Sequence, residues 1–142
     1  MKRDKGQLRM KHWLCYIALL CLSQSGFACK FLDLGLEESL KRAQVAFIAI
    51  SESPSNGMSG KGPAIPAMMR PVQVIKGTVT VGALVPVFTA NSSCGLGIQK
   101  GQQWLILASG QPLTSDQPSG SLLLQDQSTR SVVSGRLGLK LD

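Results

Sequence analysis

The chain has 142 residues, with 15 basic and 8 acidic side chains and a formal net charge of +7. This length fits one domain, and a single histidine leaves little scope for histidine-dependent catalysis or zinc binding. A net charge of +7 would suit a nucleic-acid-binding protein, but the distribution of the charge along the chain argues against that function.

The first 28 residues have the three zones of a secretory signal peptide. Five basic residues precede the apolar run at residues 13–22 (WLCYIALLCL), and a short polar stretch follows it. The run is too short to span a bilayer, which takes roughly 20 residues. Gly26 and Ala28 occupy the small-residue positions before a cleavage site, so Cys29 is the predicted mature N-terminus. Met1 and Met10 remain alternative starts.

A lipid anchor on Cys29 is the alternative interpretation of this segment. Lipoprotein signals have an aliphatic residue three positions before the cysteine and a small one two positions before it. Gly26 and Phe27 stand at those positions, so cleavage without lipidation is favoured. The remaining domain is then expected outside the cytoplasm, secreted or periplasmic, with no membrane span.

Cleavage removes the histidine, two of the four cysteines and much of the positive charge. His12, Cys15 and Cys21 leave with the signal, and ten basic and seven acidic residues remain, a net charge of +3. The remaining basic residues are scattered, so no nucleic-acid partner is expected. Without histidine, Ser-His or Cys-His nucleophile activation and histidine-bound zinc are excluded. We therefore predict that the domain is not an enzyme and holds no cofactor or intrinsic metal.

Two cysteines remain after cleavage, Cys29 and Cys94. In an oxidising compartment an even pair predicts a disulfide. A bond between Cys29 and Cys94 would close the loop of chain from residue 29 to residue 94. In the chain-entropy model, closing this loop contributes roughly 4 kcal/mol, which is a large part of the net stability of a small domain.

The first predicted element of the mature domain is an amphipathic helix at residues 34–44. Leu36, Leu40 and Ala43 recur on one face, and acidic residues near its start and basic residues near its end suit the helix dipole. A buried strand is predicted directly after it, at residues 45–50 (VAFIAI). The next segment, residues 53–69, is rich in Pro, Gly and Ser and predicts a long hairpin loop.

Further strands are predicted at residues 71–76 (PVQVIK), 84–90 (LVPVFTA) and 103–109 (QWLILAS). Pro86 places its strand at an edge or bulge, and Trp104 is expected in the core. Residues 113–124 are ambiguous, with a final strand and a turn as one interpretation. The tail beyond them is expected to be weakly structured, either a weak helix near residues 129–133 or disordered. The pattern predicts a mainly β fold, a closed or partly open antiparallel barrel, with an open sandwich as the alternative.

Several segments resemble the netrin-like domain in their order and spacing. They are Cys29 at the mature start, EESLKRAQVAFIAI at 37–50, VIKG at 74–77 and CGLGIQKGQQWLIL at 94–107. The chain is similar in particular to small bacterial relatives of the tissue inhibitors of metalloproteinases. The resemblance covers residues 29–121 and implies that residues 29–142 form a single domain, a small OB-like antiparallel barrel with one or two flanking helices.

The departures from the family pattern concern its cysteines. Phe31 stands where the family has its second cysteine, and Pro118 stands at the position of that cysteine's partner, within TSDQPS at 114–119. The surviving pair, Cys29 and Cys94, are the two that the family bonds to each other. The resemblance therefore implies the same disulfide that the cysteine count predicts. Leu96 replaces the usual aromatic residue after Cys-Gly.

The resemblance leaves two functions open. The preferred hypothesis is an exported small binding module with an unidentified protein partner, in which Cys29 staples the N-terminus to the domain. The alternative is a metalloendopeptidase inhibitor, in which the α-amino group and carbonyl of Cys29 chelate the zinc of the protease. Lys30 would then enter the primed-side pocket, with Phe31 beside it. Lys30 fits a mostly apolar pocket poorly, and loss of one disulfide loosens the edge that must be rigid.

Overall fold

The computed structural model describes residues 34–57 and 62–141. In chain order the helices and strands are α1 (Gly35–Arg42), β1 (Val45–Ser51), β2 (Ala67–Lys76), β3 (Val85–Val87), β4 (Gln103–Ala108), β5 (Leu122–Leu123) and α2 (Gln127–Leu137). A single 3₁₀ turn, Gln117–Ser119, lies between β4 and β5.

All five strands belong to one antiparallel sheet with the order β3-β2-β1-β4-β5. The mainly β class predicted from the sequence is therefore confirmed. The central strand is β1, where Phe47 lies opposite Val74 of β2 and Ile106 of β4. Its first five residues are all buried, because both faces of the sheet are covered, and this explains the uninterrupted apolar run in the sequence.

Each face of the sheet has its own hydrophobic core. On one face, which we call the loop face, the side chains of β1, β2 and β4 pack against Leu96 and Ile98 from the connection between β3 and β4. On the other, the helix face, Ile48 and Leu107 pack against both helices. The two faces follow from alternation along each strand, since successive side chains point to opposite sides.

Of the predicted closed or partly open barrel, the closed form is not present, because the sheet is open. Within the described residues the edge strands β3 and β5 do not pair with each other, and they have only three and two residues. Two isolated bridges, Phe88 with Thr114 and Gly95 with Asp116, join the chain after β3 to the segment after β4. Edge strands this short leave too few backbone groups to complete a ring of hydrogen bonds, so the sheet stays open.

The helix predicted near the start of the domain is present as α1. Lys76 at the end of β2 donates hydrogen bonds to the carbonyl groups of Leu40 and Lys41, at 3.1 and 2.8 Å, and so satisfies the end of this helix. Of the two alternatives for the tail, the structure has a helix, α2, which is longer than expected and buries Val133. Neither helix of the described chain is long and apolar enough to cross a membrane.

Candidate functional site around Cys94

Three loops meet at one end of the loop face, in a region that we call the Cys94 corner. It comprises residues 55–57 after β1, residues 89–96 after β3, and residues 114–119 after β4. Ser55 fixes the first loop to the second, because its backbone N–H donates to Ile98 at 3.2 Å and its hydroxyl donates to Leu96 at 3.1 Å. The pattern of predicted strands and loops did not show that the third loop packs against the second.

A carboxylate and a hydroxyl hold the base of the corner. Asp116 Oδ1 accepts a hydrogen bond from the backbone N–H of Ala90, and a second from the Thr89 hydroxyl at 3.2 Å. The same Thr89 oxygen accepts the backbone N–H of Leu96 at 2.5 Å. Thr89 is 5% exposed, so these bonds are largely shielded from water. The Asp116 carboxylate therefore has a structural role in joining the second loop to the third.

Gln117 clamps the loop that contains Cys94. Its backbone N–H donates to the carbonyl oxygen of Cys94 at 2.9 Å, and its side-chain Nε2 donates to the carbonyl oxygens of Ser93 and Gly95, at 2.9 and 3.2 Å. Three consecutive carbonyl groups are thus fixed by one residue. The side chains of Ser92 and Ser93 remain exposed, so the corner presents a solvent-facing loop on a fixed backbone.

Two glycines allow the loops to approach each other this closely. A Cβ atom at Gly95 would lie 2.1 Å from the carbonyl oxygen of Ala90 and 2.9 Å from that of Gly57. A Cβ atom at Gly57 would lie 2.1 Å from the Thr89 methyl carbon, Cγ2. Neither glycine has a positive φ, so space rather than backbone conformation requires them. At Gly95 the contact is backbone against backbone, and at Gly57 it is backbone against the Thr89 side chain; both are close enough to require a residue without a Cβ atom.

The site residues predicted from the sequence are only partly within the described residues. Cys94 is half-buried at the corner. Cys29, Lys30 and Phe31 lie outside the described residues, so the pairing of Cys29 with Cys94 and the contact roles of all three stay predictions. Pro118 lies exposed in the 3₁₀ turn, in the third loop of the corner.

The described residues of the corner are mainly backbone groups and uncharged polar side chains. The only carboxylate in these three loops is Asp116, and its Oδ1 is occupied by the bonds from Thr89 and Ala90. Among the described residues, no three His, Cys, Asp or Glu side chains lie together as metal ligands. Trp104, which was expected in the core, is buried on the loop face, and its indole N–H donates to Gln102 at 3.1 Å.

Sequence reasoning missed Thr89, Asp116 and Gln117 as the residues that shape the corner. One indication was present, because the family pattern places a cysteine near residue 118, and such a cysteine would put this segment close to the mature N-terminus. The polar residues themselves gave no periodic pattern, since the bonds of Asp116 to Thr89 and of Gln117 to Ser93 join groups more than 20 residues apart. No family model, characterised protein or solved structure matches the chain, so the netrin-like resemblance also stays a prediction.

Proposed function

We propose that this domain is an exported protein-binding module and that the Cys94 corner is its contact surface. The observation that carries the proposal is the clamp of Gln117 on residues 93–95, beneath exposed side chains. Binding residues are commonly placed on loops that a rigid scaffold positions. A loop whose backbone is already fixed loses little conformational entropy when a partner binds.

Site-specific photo-crosslinking tests this proposal. A benzophenone side chain introduced at Ser92 is expected to crosslink to one protein of the compartment that receives the domain. The same group at Ser131, which is also exposed but lies on α2, is the matched control and should give no such product. Equal crosslinking from the two positions, or none from position 92, would contradict the proposal.

A second variant tests whether the fixed backbone matters. Gln117→Ala removes the side-chain bonds to Ser93 and Gly95 and should reduce the crosslinking yield from position 92. Gln125→Ala is the control, because Gln125 is exposed and distant in sequence from the corner. If Gln117→Ala leaves the yield unchanged while the protein remains folded, the clamp does not prepare the surface for binding.

Inhibition of a zinc endopeptidase is the second candidate, and the position of Cys94 favours it. Cys94 lies beside the exposed Ser92 and Ser93, so a disulfide to Cys29 would bring the mature N-terminus to the same surface. There, the neutral α-amino group of Cys29 would be able to reach a metal on a partner protein. The zinc belongs to the protease in this hypothesis.

Extending the mature N-terminus by one alanine separates this hypothesis from simple binding. The added residue displaces the amino group from the position where amine and carbonyl chelate together. Inhibition should then be abolished, while the thermal stability should be nearly unchanged. If the correctly processed protein leaves a panel of zinc endopeptidases fully active at micromolar concentration, inhibition is rejected and the binding module remains.

A further inference from the structure

A second surface lies on the helix face, at the end of the sheet that the helices leave uncovered. Here the pairing register places two rows of side chains on one side of the sheet. One row runs from Gln73 through Ile48 to Leu105, and the next runs from Arg70 through Ile50 to Gln103. Ile50 is 39% exposed, in contrast to the fully buried Ile48. The helix-face core therefore ends between these rows.

A cleft of about 300 Å³ occupies this region. Its apolar part is formed by Ile48, Val72 and Leu141, and its polar part by Gln73, Gln103 and Lys140. Val72 is 44% exposed because it is the extra residue at an irregularity in the pairing of β2 with β1. The cleft thus combines an apolar floor with a polar rim, a composition that is common in ligand-binding clefts.

The polar groups of the rim are uncommitted. Within the described chain, the side chains of Gln73 and Gln103 form no hydrogen bond. Lys140 forms no ion pair with any described residue. Arg70, the cation in the second of these rows, is already engaged by Glu52 at 2.8 Å and by the carbonyl oxygen of Gly82 at 2.7 Å. The available chemistry is therefore two amides and one ammonium group.

We propose that this cleft binds an acidic peptide segment of a partner protein, in which a carboxylate stands next to an apolar side chain. Lys140 supplies the complementary charge for the carboxylate. The glutamine amides each offer a donor and an acceptor, which match the N–H and C=O groups of an extended peptide backbone. The apolar side chain of the peptide covers Val72 and Ile50, which water now contacts.

The cleft is distinct from the Cys94 corner, since it lies on the opposite face of the sheet. Pairing of the peptide as an additional strand is not part of the proposal. Irregularities at Val72 and Ile75 distort the outer edge of β2, and bulges of this kind protect an edge against strand addition. Recognition is therefore assigned to side chains above the sheet and not to its edge.

A pair of matched peptides tests the proposal by nuclear magnetic resonance on the ¹⁵N-labelled protein. The probes are acetyl-Leu-Glu-Leu-amide and the neutral analogue acetyl-Leu-Gln-Leu-amide. We expect the side-chain amide signals of Gln73 and Gln103 to shift and saturate. The acidic peptide should bind about two- to fivefold more tightly at low ionic strength, as one exposed ion pair allows, and added salt should remove the difference.

Two variants test whether Lys140 supplies the charge that favours the acidic peptide. Lys140→Gln should make the affinities for the two peptides equal, while Lys100→Gln, at an exposed lysine before β4, should leave the preference intact. The proposal is overturned if no signal saturates, if the shifts map to the Cys94 corner, if the wild type binds both peptides equally, or if Lys140→Gln keeps the preference. The proposed function at the corner is unaffected by any of these results.

Discussion

Gly57 and Gly95 both approach neighbouring groups closely, and this leads to a prediction about stability. Thr89→Ser should offset part of the destabilisation caused by Gly57→Ala, but not that caused by Gly95→Ala. At Gly95 the obstacle to a methyl group is the Ala90 carbonyl oxygen, 2.1 Å away. An ordinary contact needs at least 3.4 Å, so the backbone must move by about 1 Å. At Gly57 the main obstacle is one side-chain carbon, Thr89 Cγ2, also at 2.1 Å.

Gly95→Ala should therefore destabilise the protein by about 3 kcal/mol, at the upper end of the range for overpacking, because moving Ala90 also weakens its bond to Asp116. Gly57→Ala should cost about 2 kcal/mol. The Thr89 methyl group cannot simply rotate away, since its hydroxyl is bonded to both Asp116 and Leu96. Thr89→Ser alone should cost about 1 kcal/mol, from the loss of one buried methyl group.

The double variants provide the decisive comparison. In Gly57→Ala/Thr89→Ser the nearest remaining atoms are the Ala90 oxygen at 3.1 Å and Thr89 Cβ at 3.2 Å, so the double variant should be at least about 1 kcal/mol more stable than additivity predicts. Gly95→Ala/Thr89→Ser should be additive. Urea unfolding followed by tryptophan fluorescence measures all five variants. The described contacts of Gly57 and Gly95 would be refuted if Thr89→Ser offset the destabilisation equally in both double variants. They would also be refuted if the single alanine variants were within about 0.5 kcal/mol of the wild type in stability.

Three other properties are expected to change in defined directions. Gly135→Ala should raise the free energy of unfolding by about 0.5–1 kcal/mol, because an added Cβ in α2 meets nothing within 4 Å. Gly138 is equally open, but its φ is +64°, so Gly138→Ala should lower the free energy of unfolding. Urea titration measures both variants. Ser115→Ala should cost about 1–3 kcal/mol, because the buried hydroxyl donates to the Leu107 carbonyl at 2.9 Å; a change under about 0.5 kcal/mol would count against this bond. Hydrogen bonds from the Ser128 hydroxyl and from Thr129 lower the pKa of Asp126 from 3.8 to about 2. Its stabilisation of α2 should therefore be complete above pH 3.8 and be lost as the pH falls through 2, and Asp126→Asn should remove this part of the acid dependence seen by circular dichroism.

The elements with a strong hydrophobic pattern were predictable from the sequence. The helix expected at residues 34–44 is Gly35–Arg42, and the strand expected at 103–109 is Gln103–Ala108. Pro86 correctly indicated an edge strand, since β3 is the outermost strand of the sheet on its side. In each case the local pattern and the tertiary environment require the same residues, so local reasoning was sufficient.

The start of β2 and the closure of the sheet were not predictable in this way. Ala67 and Met69 are buried in β2, although their neighbourhood in sequence is rich in Pro and Gly and predicted a loop. Their burial depends on pairing with β3, in which Ala67 lies opposite Val87. Closure depends on the length of the edge strands, which the number of strands does not determine. The Cys94 corner was missed because its hydrogen bonds join segments far apart in sequence.

One covalent feature is central to the predicted mature domain: the disulfide that would fix its N-terminus at the Cys94 corner. Peptide mapping by mass spectrometry under non-reducing conditions, on protein recovered after export, measures it together with the cleavage site. We predict a chain that begins at Cys29, carries no lipid, and yields a linked pair of peptides containing Cys29 and Cys94. Two free thiols at these positions, or a chain that retains residues 1–28, would contradict the account.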